Sequence, residues 1–302
     1  MSNLSLAAFA SGILALFGMA LPTYTPFPKA LPVRQEIKTV RSLDNSFTAN
    51  SVLVFNLKTG ERAVDFGSDV VLPVASITKI MTGFLVLEAL NPGEFVMLSE
   101  DAARTSGDVG HLKAGEYFAV ADFLRATMMS SSNDAAMALA EEAGARMGGQ
   151  SFEERIALFV EAMNRKAEEL KMHSTRFVNP TGLDSAPDFP SNYSTAADLA
   201  LLIRAAYEKT PILWEFSREK ERTIYSDRGR AYHIFHLNEI LDRIPNLIGS
   251  KTGSTSSAGD SLVYLFEYPL GTAYGAIMIG AENGKRAAEA ERILELVLRV
   301  LP

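Results

Sequence analysis

Apolar positions in this chain fall into two kinds of run. Beyond about residue 46, short β-rich runs gather near both ends. "SVLVFNL" (51–57) and "RAVDFG" (62–67) flank the turn "KTGE", which is the pattern of a hairpin. "DSLVYLFEY" (260–268) and "TAYGAIMIGA" (272–281) predict two adjacent strands, and "RTIYS" (222–226) and "AYHIFHL" (231–237) are further candidates. Helical spacing fills the middle. "KAGEYFAVAD" (113–122) reads as a short strand or loop entering a helix, a strong helical period runs on from Asn133, and 152–172 is amphipathic. "TRFVNPTGLD" (175–184) is turn-rich, and 195–208 is helical with Ser194–Thr195 as its cap. Residues 284–302 close the chain as a helix. Strands at both ends with helices between them do not make an alternating βαβ pattern. They predict an α+β fold, an antiparallel sheet built from the two ends and flanked by helices, with an all-helical lobe inserted.

Residues 4–21 stand apart as an uncharged run of Ala, Leu and Phe, followed by a proline-rich stretch. We read 1–22 as a signal peptide or membrane anchor, 23–45 as a linker and 46–302 as the folded body. No Lys or Arg precedes the run, so cleavage and retention both stay open, and an extracytoplasmic location is the expectation. Composition narrows the function. A formal net charge of −7 argues against nucleic-acid binding. The absence of cysteine excludes disulfides, thiolate metal sites and Cys nucleophiles. The four histidines, His111, His173, His233 and His236, are scattered without an HExxH, and they read as ordinary structural or surface residues. The expectation is therefore an enzyme without metal or other cofactor.

One helix poses a chemical question. "PVASITKIMTGFLVLEAL" (73–90) is apolar almost all round, the mark of a buried helix. Yet it carries Lys79 in its first turn, and burying an ammonium is costly unless it is paired or used. Ser76 lies three residues earlier, on the same face. A serine hydroxyl needs a base, and a desolvated lysine can be one. Free backbone N–H groups at the helix start suit an oxyanion. Alone, S-x-x-K is weak, because Ser217–Lys220 repeats it among charged residues in what reads as a solvated turn. Two further clusters add weight. Ser131-Ser132-Asn133 sits where a loop meets a helix, and an N-cap explains it equally well in isolation. Lys251-Thr252-Gly253 enters a strand, where a glycine lets another backbone approach closely. Its copy at Lys58–Gly60 lies between two short strands, where a turn suffices.

S-x-x-K, then S-x-N, then K-T-G, in that order, is the signature of serine enzymes that act on penicillin and on peptidoglycan stem peptides. The chain resembles the D-alanyl-D-alanine carboxypeptidases, the low-molecular-mass penicillin-binding proteins. The likeness extends through "GDVGHLKAGEYFAVADFLRATMMSSSNDAAMALAE", "NRKAEELKMHSTRFVNPTGLD" and "GAENGKRAAEAERIL". It covers roughly 46–300 and implies a β-lactamase/transpeptidase-like fold. It also implies roles. Ser76 would attack the penultimate D-alanine carbonyl, Lys79 would take its proton, and Ser131 would relay a proton to the leaving D-alanine. Asn133 would hold the substrate amide. Backbone N–H groups of Ser76 and Ser254, the latter beside Gly253, would form the oxyanion hole. Lys251 and Thr252 would bind the terminal carboxylate or share in proton transfer, and Arg286 would complete the carboxylate site. For Arg286 the plainer alternative is a surface charge at a helix start, where its sign is slightly unfavourable. The implied partners are peptidoglycan stem peptides and, as covalent inhibitors, β-lactams. A membrane would be met only through the N-terminal segment, because the family's frequent C-terminal β-domain and amphipathic helix have no counterpart here.

Three rivals remain at this point. A D,D-endopeptidase acting on cross-links shares the chemistry. A serine β-lactamase shares the motifs, but no E-x-x-L-N lies between S-x-N and K-T-G, and Glu168-Glu169-Leu170 falls inside a helix. A non-catalytic wall-binding or β-lactam-sensing module would be expected to have lost some of Ser76, Lys79, Ser131, Asn133 and Lys251.

Overall fold

A computed structural model of the chain describes residues 39–43, 47–107, 111–185 and 192–301. The apolar run at 4–21 and the adjoining proline-rich stretch lie outside the described residues. Residues 37–302 form one compact unit. Its main sheet has five strands, β1 (Ser51–Asn56), β2 (Arg62–Phe66), β9 (Leu247–Thr255), β10 (Gly259–Glu267) and β11 (Ala273–Ala281). Their order is β2-β1-β11-β10-β9, all antiparallel, so strands from the two ends of the chain meet at the β1–β11 pair. The hairpin and the adjacent C-terminal strands expected from the sequence are both present. The sheet also starts earlier than expected. Val40 bridges to Val64 beside β2, so the chain already touches the sheet's edge at residue 40. Main-chain pairing there is satisfied by Val40, a residue whose single apolar letter gave no strand signal.

Side-chain alternation gives the sheet two buried faces. Val52, Val54, Leu262, Tyr264, Tyr274 and Met278 face the closing helix, α7 (Arg286–Val300), whose Ala290, Ile293, Leu294 and Val297 fill that layer. Leu53, Phe55, Val263, Leu265, Ile277 and Ile279 face the other way, into the helical lobe. That lobe comprises α1 (Lys79–Ala89), α2 (Val120–Met128), α3 (Asn133–Arg146), α4 (Phe152–Glu169), α5 (Ala196–Lys209) and the short α6 (Pro211–Phe216). Local chemistry sets its boundaries. Ser151 opens α4 with a capping box to Glu154, and the Thr195 side chain caps α5 by accepting from the Asp198 N–H at 3.0 Å. Three two-stranded sheets trim the lobe: β3 (Leu72–Pro73) with β6 (Tyr193–Ser194), β4 (Phe95–Met97) with β5 (Tyr117–Ala119), and β7 (Glu221–Tyr225) with β8 (Ala231–Phe235). The candidate strands at 222–226 and 231–237 thus pair only with each other. This leaves β9 as the free edge of the main sheet, and that edge carries the K-T-G triplet.

Candidate active site

Ser76 sits in a 3-10 turn, Ala75–Thr78, that leads directly into α1. Ala75 holds a φ of +45°, a costly left-handed conformation for a residue with a side chain. The turn has no acidic residue and no side-chain cap, and the Ile77 N–H is bonded to the Val74 carbonyl at 3.1 Å. Lys79 is fully buried. Its ammonium has an acceptor for each of its three N–H bonds: Ser76 Oγ at 2.9 Å, Asn133 Oδ1 at 2.7 Å and the Thr181 carbonyl at 2.7 Å.

The Thr181 carbonyl arrives on a loop built for close approach. Asn179 Oδ1 accepts from the backbone N–H groups of Thr181 and Gly182, and Asn192 Oδ1 from those of Val178 and Asn179. Asn164 holds both backbone groups of Phe177. At Gly182, with φ of +83°, a Cβ would lie 1.9 Å from the Ala75 carbonyl oxygen. The loop is therefore pressed onto the backbone of the nucleophile's own turn. Sequence reading found the turn but not its function, because a backbone carbonyl has no letter of its own. The glycine inside N-P-T-G-L was the one available signal.

The three residues of S-x-N divide their work. Ser132 is the N-cap of α3, accepting from the Ala135 N–H at 3.2 Å. That frees its neighbours for the cleft. Ser131 takes a φ of +58°, which turns its hydroxyl to Lys251 Nζ at 2.9 Å. Asn133 gives Nδ2 to the carbonyls of Ser106 and Gly107, at 2.9 and 3.2 Å, and Oδ1 to Lys79. Both ends of this amide are engaged by the protein. Asn133 therefore orients the lysine and the segment carrying Ser106 and Gly107.

Lys251 is also fully buried, and its second acceptor is the Thr252 carbonyl at 2.8 Å. Burial pushes its ammonium well below the ordinary lysine range, and the charges of Lys79 and Arg286 press the same way. Behind it lies His236, which the sequence left as an ordinary residue. Nδ1 accepts from the Asn238 N–H at 2.9 Å, so Nε2 carries the proton and donates to the Ser217 carbonyl at 3.0 Å. Burial, then the nearby Lys251 charge, lower its pKa to about 4. Ser217 itself is fully buried, and its Oγ accepts from the Ser250 N–H. This corrects the reading of Ser217–Lys220 as a solvated turn. Arg218 and Lys220 are exposed, the latter paired with Asp242, while the serine anchors β9 just before K-T-G. The other decoy is a turn as expected, with Asn56 Oδ1 gathering the N–H groups of Lys58 and Thr59.

At Gly253 a Cβ would come within 3.2 Å of the Ile77 N and the Val74 O. The close backbone approach expected at K-T-G is therefore real, and it is β9 lying against the turn of Ser76. A cleft of about 280 Å³ opens between them, with Ser76, Ser131, Thr252, Gly253, Ser254 and Arg286 in its wall. Sequence reading missed Gly107, Leu183, Leu237 and Thr255, which also line it. Arg286, the first residue of α7, reaches the cleft but is already paired with Glu239. Among the described residues no group of His, Asp or Glu is arranged to hold a metal ion.

This sheet and lobe have the fold of the solved DD-transpeptidase and penicillin-binding protein structures. The family model of the D-alanyl-D-alanine carboxypeptidases matches residues 37–266, and the chain belongs to that family. It is 32% identical over 248 residues to the D-alanyl-D-alanine carboxypeptidase DacF of Bacillus subtilis (strain 168), covering 80% of this chain and 59% of that one. It is 34% identical over 245 residues to a D-alanyl-D-alanine endopeptidase of Pseudomonas aeruginosa, covering 79% and 71%. Among solved structures, the ampicillin-bound penicillin-binding protein D2 of Listeria monocytogenes superposes with a TM-score of 0.69 at 30% identity, covering 84% of this chain and 99% of that one. A mutant of the Streptomyces K15 DD-transpeptidase gives 0.76 at 25% identity, covering 85% and 100%.

Proposed function

We propose that this protein is a serine-type D-Ala-D-Ala carboxypeptidase that removes the terminal D-alanine from peptidoglycan stem peptides. The observation that carries this reading is the Lys79 environment. A neutral lysine amine has two N–H bonds and one lone pair. Asn133 Oδ1 and the Thr181 carbonyl take the two N–H bonds, which leaves the lone pair for the Ser76 hydroxyl. Ser76 Oγ then attacks the penultimate carbonyl as Lys79 takes its proton. The tetrahedral oxyanion meets the backbone N–H groups of Ser76 and Ser254; one such donor is typically worth ~3 kcal/mol. Ser131, bonded to Lys251, relays the proton held on Lys79: its own hydroxyl proton goes to the leaving amine as it takes up that one, the C–N bond breaks, and D-alanine departs. Water then hydrolyses the ester to Ser76. The free edge of β9 offers main-chain groups to an extended peptide, which would lie along it as an added strand.

β-Lactams would acylate Ser76 by the same attack. The ampicillin-bound Listeria relative supports that expectation. We further propose export to the cell surface or periplasm through residues 4–21, with any membrane contact confined to that segment. N-terminal sequencing of the fractionated native protein tests this, and a cytoplasmic, uncleaved chain would overturn it. No helix among the described residues is long and apolar enough to cross a membrane.

The central test is intact mass of the full chain after exposure to benzylpenicillin, beside Ser76→Ala. A lasting one-to-one adduct is expected on the wild type alone. Rapid consumption of the drug without an adduct would instead mean a β-lactamase. D-Alanine release from a stem pentapeptide, against cleavage of a cross-linked dimer, then separates the carboxypeptidase from the endopeptidase reading. The Pseudomonas relative keeps that second reading in view.

A further inference from the structure

Arg286 borders the cleft with a side chain only 14% exposed, and its guanidinium is largely committed. Nε donates to Glu239 Oε2 at 3.1 Å and Nη2 to Glu239 Oε1 at 2.5 Å, a bidentate pair. Nη2 also donates to the Leu237 carbonyl at 3.2 Å. Nη1 lies 3.8 Å from Asp260 Oδ1, and Asp260 Oδ2 is held by the Gly284 N–H. Of the five guanidinium N–H bonds, only the two on Nη1 make no hydrogen bond among the described residues. Glu239 itself is 53% exposed, on the segment that runs from β8 past Leu237, whose side chain lines the cleft. A cation meant simply to capture anions gains nothing from a carboxylate already seated on it.

We propose that Glu239 is a specificity-determining residue that sets how tightly this cleft takes a peptide ending in a free carboxylate. The proposal rests on the reading that Arg286 meets that carboxylate. Glu239 acts through the arginine in two ways. Its fork fixes the plane of the guanidinium, so that Nη1 is the edge left to give. Its charge offsets that of Arg286, so that an incoming carboxylate gains less than it would from a bare guanidinium. The carboxylate leaves with the departing amino acid, so the same offset also weakens retention of the product. Substrate affinity and product release are then coupled through one acidic side chain.

The test compares Glu239→Gln with the wild-type full chain on two peptides, a stem pentapeptide ending in D-alanine and the same peptide ending in its carboxamide. Gln keeps one acceptor and the side chain's shape but removes the charge. We expect KM for the acid-terminated peptide to fall about fivefold, as for one partly exposed ion pair, with kcat changed less than about twofold. Inhibition by free D-alanine should tighten by a similar factor, and kcat/KM for the carboxamide should stay level. Glu239→Asp, which keeps the charge but shortens the fork, should stay near the wild-type KM. Equal changes on both peptides, or none on either, would overturn the proposal, and a thermal melt guards against a folding defect. The underlying reading fails separately. A folded wild type that releases no D-alanine and forms no penicillin adduct removes the peptidase assignment. An active enzyme whose KM for the acid-terminated peptide is unmoved by Arg286→Gln removes the carboxylate role.

Discussion

Two lysines are fully buried in one cleft, and they are held in opposite ways. Lys79, on the helix side, has three neutral acceptors set around it by Ser76, Asn133 and the 177–183 loop. Lys251, on the strand side, has two acceptors among the described residues, with Lys79 and Arg286 as cationic neighbours. Two acceptors match the two N–H bonds of a neutral amine. The helix side is thus built as a dense cage of acceptors, and the strand side as a buried position where desolvation first, then neighbouring positive charge, lowers the lysine pKa.

The largest expected effect separates the two directly. Arginine stays protonated, so Lys79→Arg should lose ~10⁴-fold in acylation rate, the upper end for a general base. Lys251→Arg should lose only ~10²-fold, because it reaches the nucleophile through no direct bond. Stopped-flow acylation by a chromogenic cephalosporin measures both, and equal losses would collapse the distinction. The next pair concerns packing. Gly182→Ala drives a Cβ to 1.9 Å from a backbone oxygen at a left-handed φ, and should lower Tm by roughly 10 °C or more. Gly253→Ala meets its neighbours at 3.2 Å and should cost about 3 °C. Calorimetry showing the reverse order would mean the strand side is the tighter one.

A further effect depends on pH. His236 stays neutral in the fold, with its pKa lowered from 6.5 to about 4. Between those values the unfolded chain takes up a proton that the folded chain refuses. Stability should therefore fall as pH drops from 6.5 towards 4, by up to ~3 kcal/mol, and be unaffected by this group above 6.5. His236→Asn should flatten that acid limb in Tm measured against pH. A limb of unchanged slope would show that carboxylates elsewhere set it.

What the sequence carried and what it hid follow from where the information sits. β1, β2, β10, β11 and α7 were legible because both faces of the sheet are buried, which leaves near-continuous apolar runs, and one face of the helix is buried, which leaves a 3.6-residue spacing. Ser76, Lys79, Ser131 and Lys251 were legible as motifs, and the fold brings them together. The Thr181 carbonyl was hidden because it is backbone. Ser217 was misread because its neighbours Arg218, Glu219 and Lys220 are charged while it alone points inward. Asn133 was legible as part of a motif, but its bonds to Lys79, Ser106 and Gly107 were not, since an amide's direction depends on packing. Glu239 carried no signal at all, being one acid in a loop until α7 docks Arg286 against it.

The order of strands has a consequence in time. Ser76 lies on a turn that follows β3, yet its cleft needs β9, and β1 finds its partner only in β11. The helical lobe between them is local and can form early, whereas closing the sheet joins distant parts of the chain and is intrinsically slow. On that order, a refolding chain would bring Ser76 beside Gly253 and Lys251 only when the last strands zip, and pulse-labelled hydrogen exchange is expected to show protection of α3 before β1.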